Sequence, residues 1–290
     1  MTVRELVRKT AENFRAGGIE DPKGEAERLY LYAAGLGFSA YLASLEEEAP
    51  AECTVRYEEY AKRRMQREPL QHIVGSAPFY GRTFKVDPRV LVPRFDTEIL
   101  VQEAVRELEG RETVLDLCTG SGCIAITLKK EMPDLRVLAS DVSKDALDVA
   151  RENAALLEAD VEFVESDMFK GLTVPFDVLV SNPPYIARAA IGKLEPEVRD
   201  HDPVIALDGG VDGLCFYRKI AKCAKRHFTP SGTYGGRPNG NGAKRLLILE
   251  IGDEQAEEVT QILKKEGYEE IVTVPDLSGR ARVVKAVYEG

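Results

Sequence analysis

Over the first 75 residues the apolar positions recur three and four apart. Val3, Leu6, Val7, Thr10, Ala11 and Phe14 share one face of a helix that Gly17-Gly18 is expected to stop. Asp21-Pro22 predicts the next start, an N-cap with proline in the first turn, and a stripe of Ala26, Leu29, Tyr30 and Ala33 runs on to Gly35. Ser39 is expected to cap a short helix, and residues 54–67 read as a further amphipathic one. No strand pattern interrupts this part. A helical module so small buries little core by itself and is expected to dock on something.

From Pro69 to Pro93 the period changes. Phe84 and Val86 alternate with Lys85 and Asp87, and Gly75, Gly81 and Pro88 break the run, which predicts a β-hairpin connector. Thr97 reads as the N-cap of a helix over 98–108. Beyond it, short apolar strands are expected at 113–117, 135–140, 161–165, 176–181, 246–251, 269–274 and 281–287. Amphipathic helices, notably 143–157 and 254–267, fill the gaps. The pattern predicts an α/β fold with a mostly parallel sheet covered on both faces. The stretch 231–245, with five glycines and Pro238, reads as a flexible loop. The division expected is a helical domain at 1–75, a hairpin linker at 76–97 and a catalytic α/β domain at 98–290.

Charge narrows the candidates. Thirty-nine basic against 49 acidic residues give a formal charge of −10, which argues against a freestanding duplex-DNA or RNA binder. No apolar run of about 18 residues marks a membrane span. No apolar segment follows Met1-Thr2-Val3-Arg4-Glu5, so no signal peptide is expected. Cys53, Cys118, Cys123, Cys215 and Cys223 are odd in number and lack CxxC spacing, which fits a reducing cytoplasm without a zinc site or disulfide framework.

Candidate chemistry starts after the first strand of the α/β part. Cys118-Thr119-Gly120-Ser121-Gly122 leads into Cys123-Ile124-Ala125, a GxGxxA turn in which backbone and a helix N-terminus face a ligand. Asp116 precedes the turn, Asp141 ends the second strand at the spacing of a ribose-binding acid, and Ser166-Asp167 ends the third. Three acidic strand ends would repel a pyrophosphate but suit a ligand with an amine, a ribose and an adenine. S-adenosylmethionine therefore fits better than NAD. The fourth strand runs into Asn182-Pro183-Pro184-Tyr185. Two prolines supply no N–H groups and fix φ, leaving carbonyl oxygens free to face a pocket. The Asn182 side-chain carbonyl and the Pro183 backbone carbonyl can hold both hydrogens of a planar NH2 group, and Tyr185 can stack on its flat face. Holding both hydrogens steers the delocalised lone pair towards a sulfonium methyl and stabilises the charge that develops on nitrogen. Adenine N6, cytosine N4 and a glutamine side chain all qualify. His72, His201 and His227 are not required as bases.

With these motifs the chain resembles the protein-(glutamine-N5) methyltransferases that modify peptide chain release factors, the PrmC/HemK family. The resemblance rests also on Pro69-Leu70-Gln71-His72-Ile73-Val74-Gly75, Val92-Pro93-Arg94 with Asp96-Thr97-Glu98, Glu195-Pro196-Glu197-Val198, Ala206-Leu207-Asp208-Gly209-Gly210 and Glu250-Ile251-Gly252. It implies a seven-stranded class I (Rossmann-like) methyltransferase domain behind an all-helical N-terminal domain, in a cytoplasmic enzyme. That enzyme would methylate the glutamine of a Gly-Gly-Gln loop in release factors, with S-adenosylmethionine as cofactor and S-adenosylhomocysteine as product. It further implies that Cys118 to Gly122, Asp141, Asp167, Met168 and Asn182 contact the cofactor, and Asn182 to Tyr185 the glutamine. Phe95 stands where the family usually has proline, and Met168 where an aromatic ring is common. The rival enzyme is an amino-methyltransferase acting on adenine or cytosine of a nucleic acid. The net charge and the helical module count against it. A non-catalytic binding module would have no need of two oriented acceptors, and NAD-dependent hydride transfer lacks a proton-relay histidine.

Overall fold

A computed structural model describes residues 1–229, 233–234, 237–238 and 245–290, and divides the chain into two compact units. One comprises Met1–Ser76 together with Glu195–His201, and the other Ala77–Leu194 and Asp202–Gly290. The short segment Glu195–His201 thus belongs with the N-terminal helices and not with the residues on either side of it.

The helical unit contains α1 (Val3–Ala16), α2 (Pro22–Ala34), α3 (Phe38–Ser44), α4 (Ala51–Met65) and α5 (Leu70–Val74). Thr2 and Glu5 close a reciprocal capping box at the start of α1, which buries the predicted stripe from Val3 to Phe14. Asp21 caps α2 by accepting the Gly24 N–H at 3.1 Å. Phe14, Leu29, Tyr30 and Tyr57 are the largest fully buried side chains of this core. Ser39 does not cap α3: Gly37 holds the N-cap position and no side chain bonds the first turn. Helix α4 starts earlier than its apolar period announces, because Pro50 fixes the backbone just ahead of Ala51. Arg64, 4% exposed, bonds Glu25 and reaches Glu197 at 2.9 Å, and Arg67 reaches the other oxygen of Glu197 at 2.8 Å.

In the second unit, β1 (Ser76–Phe79) and β2 (Arg82–Lys85) form a hairpin. Its turn residues Tyr80 and Gly81 both take positive φ, 48° and 72°, the turn that matches strand twist. Then follow α6 (Thr97–Glu107), β3 (Thr113–Leu117), α7 (Cys123–Glu131), β4 (Arg136–Asp141), α8 (Lys144–Leu156), β5 (Glu162–Glu165) and β6 (Val178–Ser181). The helices α9 (Arg188–Ile191) and α10 (Pro196–His201) come next, the latter counted with the helical unit. The chain continues through α11 (Cys215–Cys223), β7 (Thr233–Tyr234), β8 (Arg237–Pro238), β9 (Arg245–Glu250), α12 (Ala256–Lys265), β10 (Glu269–Pro275) and β11 (Ala281–Tyr288).

Seven of these strands make one sheet, in the order β10-β11-β9-β6-β3-β4-β5. The run from β9 to β5 is parallel, and β11 is antiparallel to both its neighbours. Every residue of β3, β6 and β9 is buried, as strands covered on both faces require. Val114, Val180 and Ile248 pack on one face with Leu100 of α6 and Ile124 of α7. Leu117, Leu179 and Leu249 pack on the other with Ile220 of α11 and Val259 of α12. The predicted strands lie within a residue or two of those observed, with one instructive shortening. Phe176 and Asp177 precede β6: Phe176 makes an isolated parallel bridge with Phe228, and the Asp177 carboxylate takes the Thr113 N–H at 2.8 Å. Most of the glycine-rich stretch 231–245 lies outside the described residues; within it β7 and β8 pair antiparallel.

Candidate active site

The sheet reverses its strand order between β3 and β6, whose last residues Leu117 and Ser181 are in register. Loops leaving neighbouring strands in opposite directions open a crevice there, where α/β sheets take their ligands. The loop after β3 turns through left-handed residues at Cys118 (φ 63°), Gly120 (φ 55°) and Gly122 (φ 80°). A Cβ on Gly122 would sit 2.9 Å from Ile126 Cδ1 and 3.1 Å from Ala150 Cβ, so glycine alone lets the loop pack on α8.

Acidic groups anchor this loop. Asp116 is fully buried; its Oδ2 accepts from the Thr119 hydroxyl at 2.6 Å and the Ala125 N–H at 3.1 Å. Its Oδ1 has no hydrogen-bond partner among the described residues, and burial pushes the carboxyl up to about 7. Asp141 closes β4: Oδ2 accepts from Gly120 N–H and Oδ1 from Ser143 N–H, each at 2.9 Å. Burial raises this carboxyl too, against the pull of those amides. Each oxygen of Asp141 keeps acceptor capacity for a ligand hydroxyl. From α8 the fully buried Asn153 donates to Ser121 O at 2.9 Å and to Lys85 O at 3.0 Å, and accepts from Lys85 N–H at 2.7 Å. One side chain thus fixes the glycine loop and the hairpin together.

Across the crevice, Asn182 follows β6. Its Nδ2 donates to Thr97 Oγ1 at 3.2 Å, which leaves Oδ1 as an acceptor. Thr97 was expected to cap α6 but is the helix's first residue, and its hydroxyl is buried. The chain already turns at Arg94 and Phe95, whose carbonyls accept from the amides of Thr97 and Glu98, and Asp96 pairs with Arg282 at 3.3 Å. The Thr97 hydroxyl instead faces Asn182 on one side and Glu250 on the other. Glu250, 1% exposed at the end of β9, is held up at about 7 by burial.

The crevice opens to solvent and holds a cavity of about 110 Å³. Cys118, Thr119, Gly120, Ser121, Asp141, Asn182 and Pro184 line it, as the sequence reading expects of a site. Gly122, Asp167, Met168, Pro183 and Tyr185 do not. Met168 is buried, its carbonyl accepting from the Ser166 hydroxyl, and the Tyr185 ring packs on the second face of the sheet, where burial pushes its phenol up to about 12. Among the walls that went unforeseen are Val90 to Arg94, Thr97, Ile205 and Phe216. Arg94 grips the buried Asp202 at 2.7 Å and so fixes the start of the wall that carries Ile205. Only exposed Val204 and Ile205, in a stretch with no helical or strand period, could have hinted at this wall.

The donor set fits S-adenosylmethionine. A carboxylate at the second strand end suits a ribose, a buried unpartnered carboxylate oxygen lies by the loop where positive charge is welcome, and apolar walls suit an adenine or a methionine chain.

Comparison with known proteins agrees with this geometry. Residues 5–75 match the model of the PrmC N-terminal domain, and residues 94–194 that of the methyltransferase small domain. The release factor glutamine methyltransferase of Koribacter versatilis is 37% identical over 289 residues, covering 98% of each chain. That of Geobacter sulfurreducens is 37% identical over 98% of this chain and 95% of its own. Among solved structures, a methyltransferase from Pyrococcus furiosus superposes with a TM-score of 0.55 at 19% identity, over 79% of this chain and 99% of its own, a likeness of fold.

Proposed function

Since the chain belongs to the release factor glutamine methyltransferases, we propose that it methylates the side-chain nitrogen N5 of the glutamine in the Gly-Gly-Gln motif of peptide chain release factors. The observation that carries this reading is the orientation of Asn182, whose amide hydrogen is committed to Thr97 and whose oxygen is left for a donor in the pocket.

S-adenosylmethionine supplies a methyl group activated by its sulfonium. The rest is done by this chain's residues. Asp141, already holding the loop through Gly120, would accept the ribose hydroxyls, and residues 118–121 would hold the methionine portion against the backbone. Asn182 Oδ1, on the pocket wall, accepts one hydrogen of the glutamine NH2, and the carbonyl of the adjacent Pro183, off that wall in the free enzyme, would accept the other. The nitrogen lone pair, otherwise delocalised into the carbonyl, is thereby turned towards the methyl. As an N–C bond formed and the sulfonium S–C bond broke, leaving the thioether, nitrogen would gain positive charge, which both acceptors would bind more tightly than the neutral amide. The cationic amide is acidic enough to lose its proton to water without a histidine. The helical unit recognises the body of the release factor, in the cytoplasm where these factors act.

Incubation with labelled S-adenosylmethionine and, separately, release factor and DNA tests the reading. Label on the Gly-Gly-Gln glutamine supports it; label on DNA alone would transfer the site to the nucleic-acid class.

A further inference from the structure

We propose that Thr97 and Glu250 are positioning residues that fix the rotamer of the Asn182 amide, so that its oxygen and not its nitrogen faces the glutamine. The inference rests on the reading of Asn182 as the amide acceptor.

The two ends of an asparagine amide are nearly equal in size, so shape alone does not choose between them. A flipped Asn182 would aim its own NH2 at the substrate's NH2, donor against donor. The choice is made behind the residue. Asn182 Nδ2 lies 3.2 Å from Thr97 Oγ1, and the buried Thr97 hydroxyl lies near the carboxyl of Glu250, whose charged form it favours. A hydroxyl has one proton. If Thr97 gives it to the Glu250 carboxylate, the Thr97 oxygen can only accept, and Asn182 must present nitrogen to it. The chain Asn182 to Thr97 to Glu250 then runs in one direction. If Glu250 is protonated it can donate to Thr97, the Thr97 proton turns outward, and the preferred end of Asn182 reverses.

Glu250 is placed to titrate in this way. Among the described residues its Oε2 has no hydrogen-bond partner and no cation pairs with it directly. Arg94 and Asp96 face it from the segment before α6, Arg282 from β11 and Tyr185 from beyond β6, while Tyr217 of α11 donates to its backbone carbonyl at 2.9 Å. Burial outweighs the two arginines and holds the carboxyl up at about 7. The ionised form that orients Asn182 therefore becomes dominant as pH rises through that value.

The test is single-turnover methyl transfer to release factor by the full chain, at saturating cofactor and substrate. Thr97→Val should slow the chemical step roughly tenfold, the scale of one net hydrogen bond, and Thr97→Ser should restore most of that loss. Asn182→Ala combined with Thr97→Val should be no slower than Asn182→Ala alone, because the pair acts only through Asn182. The wild-type rate should rise with pH through about 7, and Glu250→Gln should flatten that rise. Should Asn182→Ala run at the wild-type rate, the acceptor reading itself falls. Should Asn182→Ala be slow while Thr97→Val is not, or the two losses multiply, or Glu250→Gln keep the wild-type pH profile, the positioning inference is overturned and the acceptor reading stands. The pH profile of Glu250→Gln decides even where Thr97→Val fails to fold.

Discussion

Asn182 and Asp141 sit on opposite walls of one pocket and are asked for different things. Asn182 meets a group whose charge grows during reaction, so its loss should appear in the rate. Asn182→Ala is expected to slow single-turnover transfer by roughly 10²–10³, as removal of one oriented polar group from an oxyanion hole does, with little change in release-factor affinity. Asp141 meets groups that do not change, so its loss should appear in binding. Asp141→Ala is expected to weaken S-adenosylmethionine by about 1.5–3 kcal/mol, the scale of hydrogen bonds to a charged group, read by calorimetry. The sign of the pH effect follows from its raised carboxyl. The ionised form accepts the hydroxyls, so affinity should fall as acid protonates it, starting at a higher pH than for an ordinary aspartate, and Asp141→Asn should flatten that fall.

At the scale of elements, what the chain spells locally could be read and what it completes at a distance could not. The alternation of strands and helices from Thr113 onward is a property of neighbouring residues, and the observed strands lie close to the expected ones. Gly120 and Gly122 announce a loop because few other residues take their backbone angles. Thr97 misled because a threonine at a helix start looks the same whether its hydroxyl faces the helix amides or a partner 85 positions away in sequence. Asp177 could not announce that its carboxylate would bond the Thr113 amide. The wall contributed by Phe216 follows from tertiary placement alone. The glycine loop also offers a sharp test of packing. Gly122→Ala must bear a left-handed backbone and a Cβ pressed against Ile126 and Ala150. It is expected to cost about 1–3 kcal/mol of stability and to weaken cofactor binding, checked by thermal melting and calorimetry.

For the whole molecule, the sequence places a boundary near residue 75, and the compact units divide at Ser76 and Ala77. A cut at Lys85 would remove Phe79 and Phe84, which are fully buried in the core over one sheet face and meet edge to face at 5.9 Å. Residues 77–290 keep both rings. This fragment is expected to bind S-adenosylmethionine and to methylate a free Gly-Gly-Gln peptide, while its rate on intact release factor drops. Parallel assays on peptide and protein check this, and an equal fall on both would make the helices part of the catalytic fold.

The membership of Glu195–His201 in the helical unit has a bearing on inheritance. The backbone passes between the units after Ser76, before Glu195 and after His201, so the helical part is not a cassette with one seam. A recombination event that brought in a foreign N-terminus would leave Glu197 behind, facing arginines it had not been selected with. Recognition of a new release factor by this scaffold would then arise more readily by point substitution than by exchange of a whole domain. A laboratory chimera would have to carry this distant segment along with the helices.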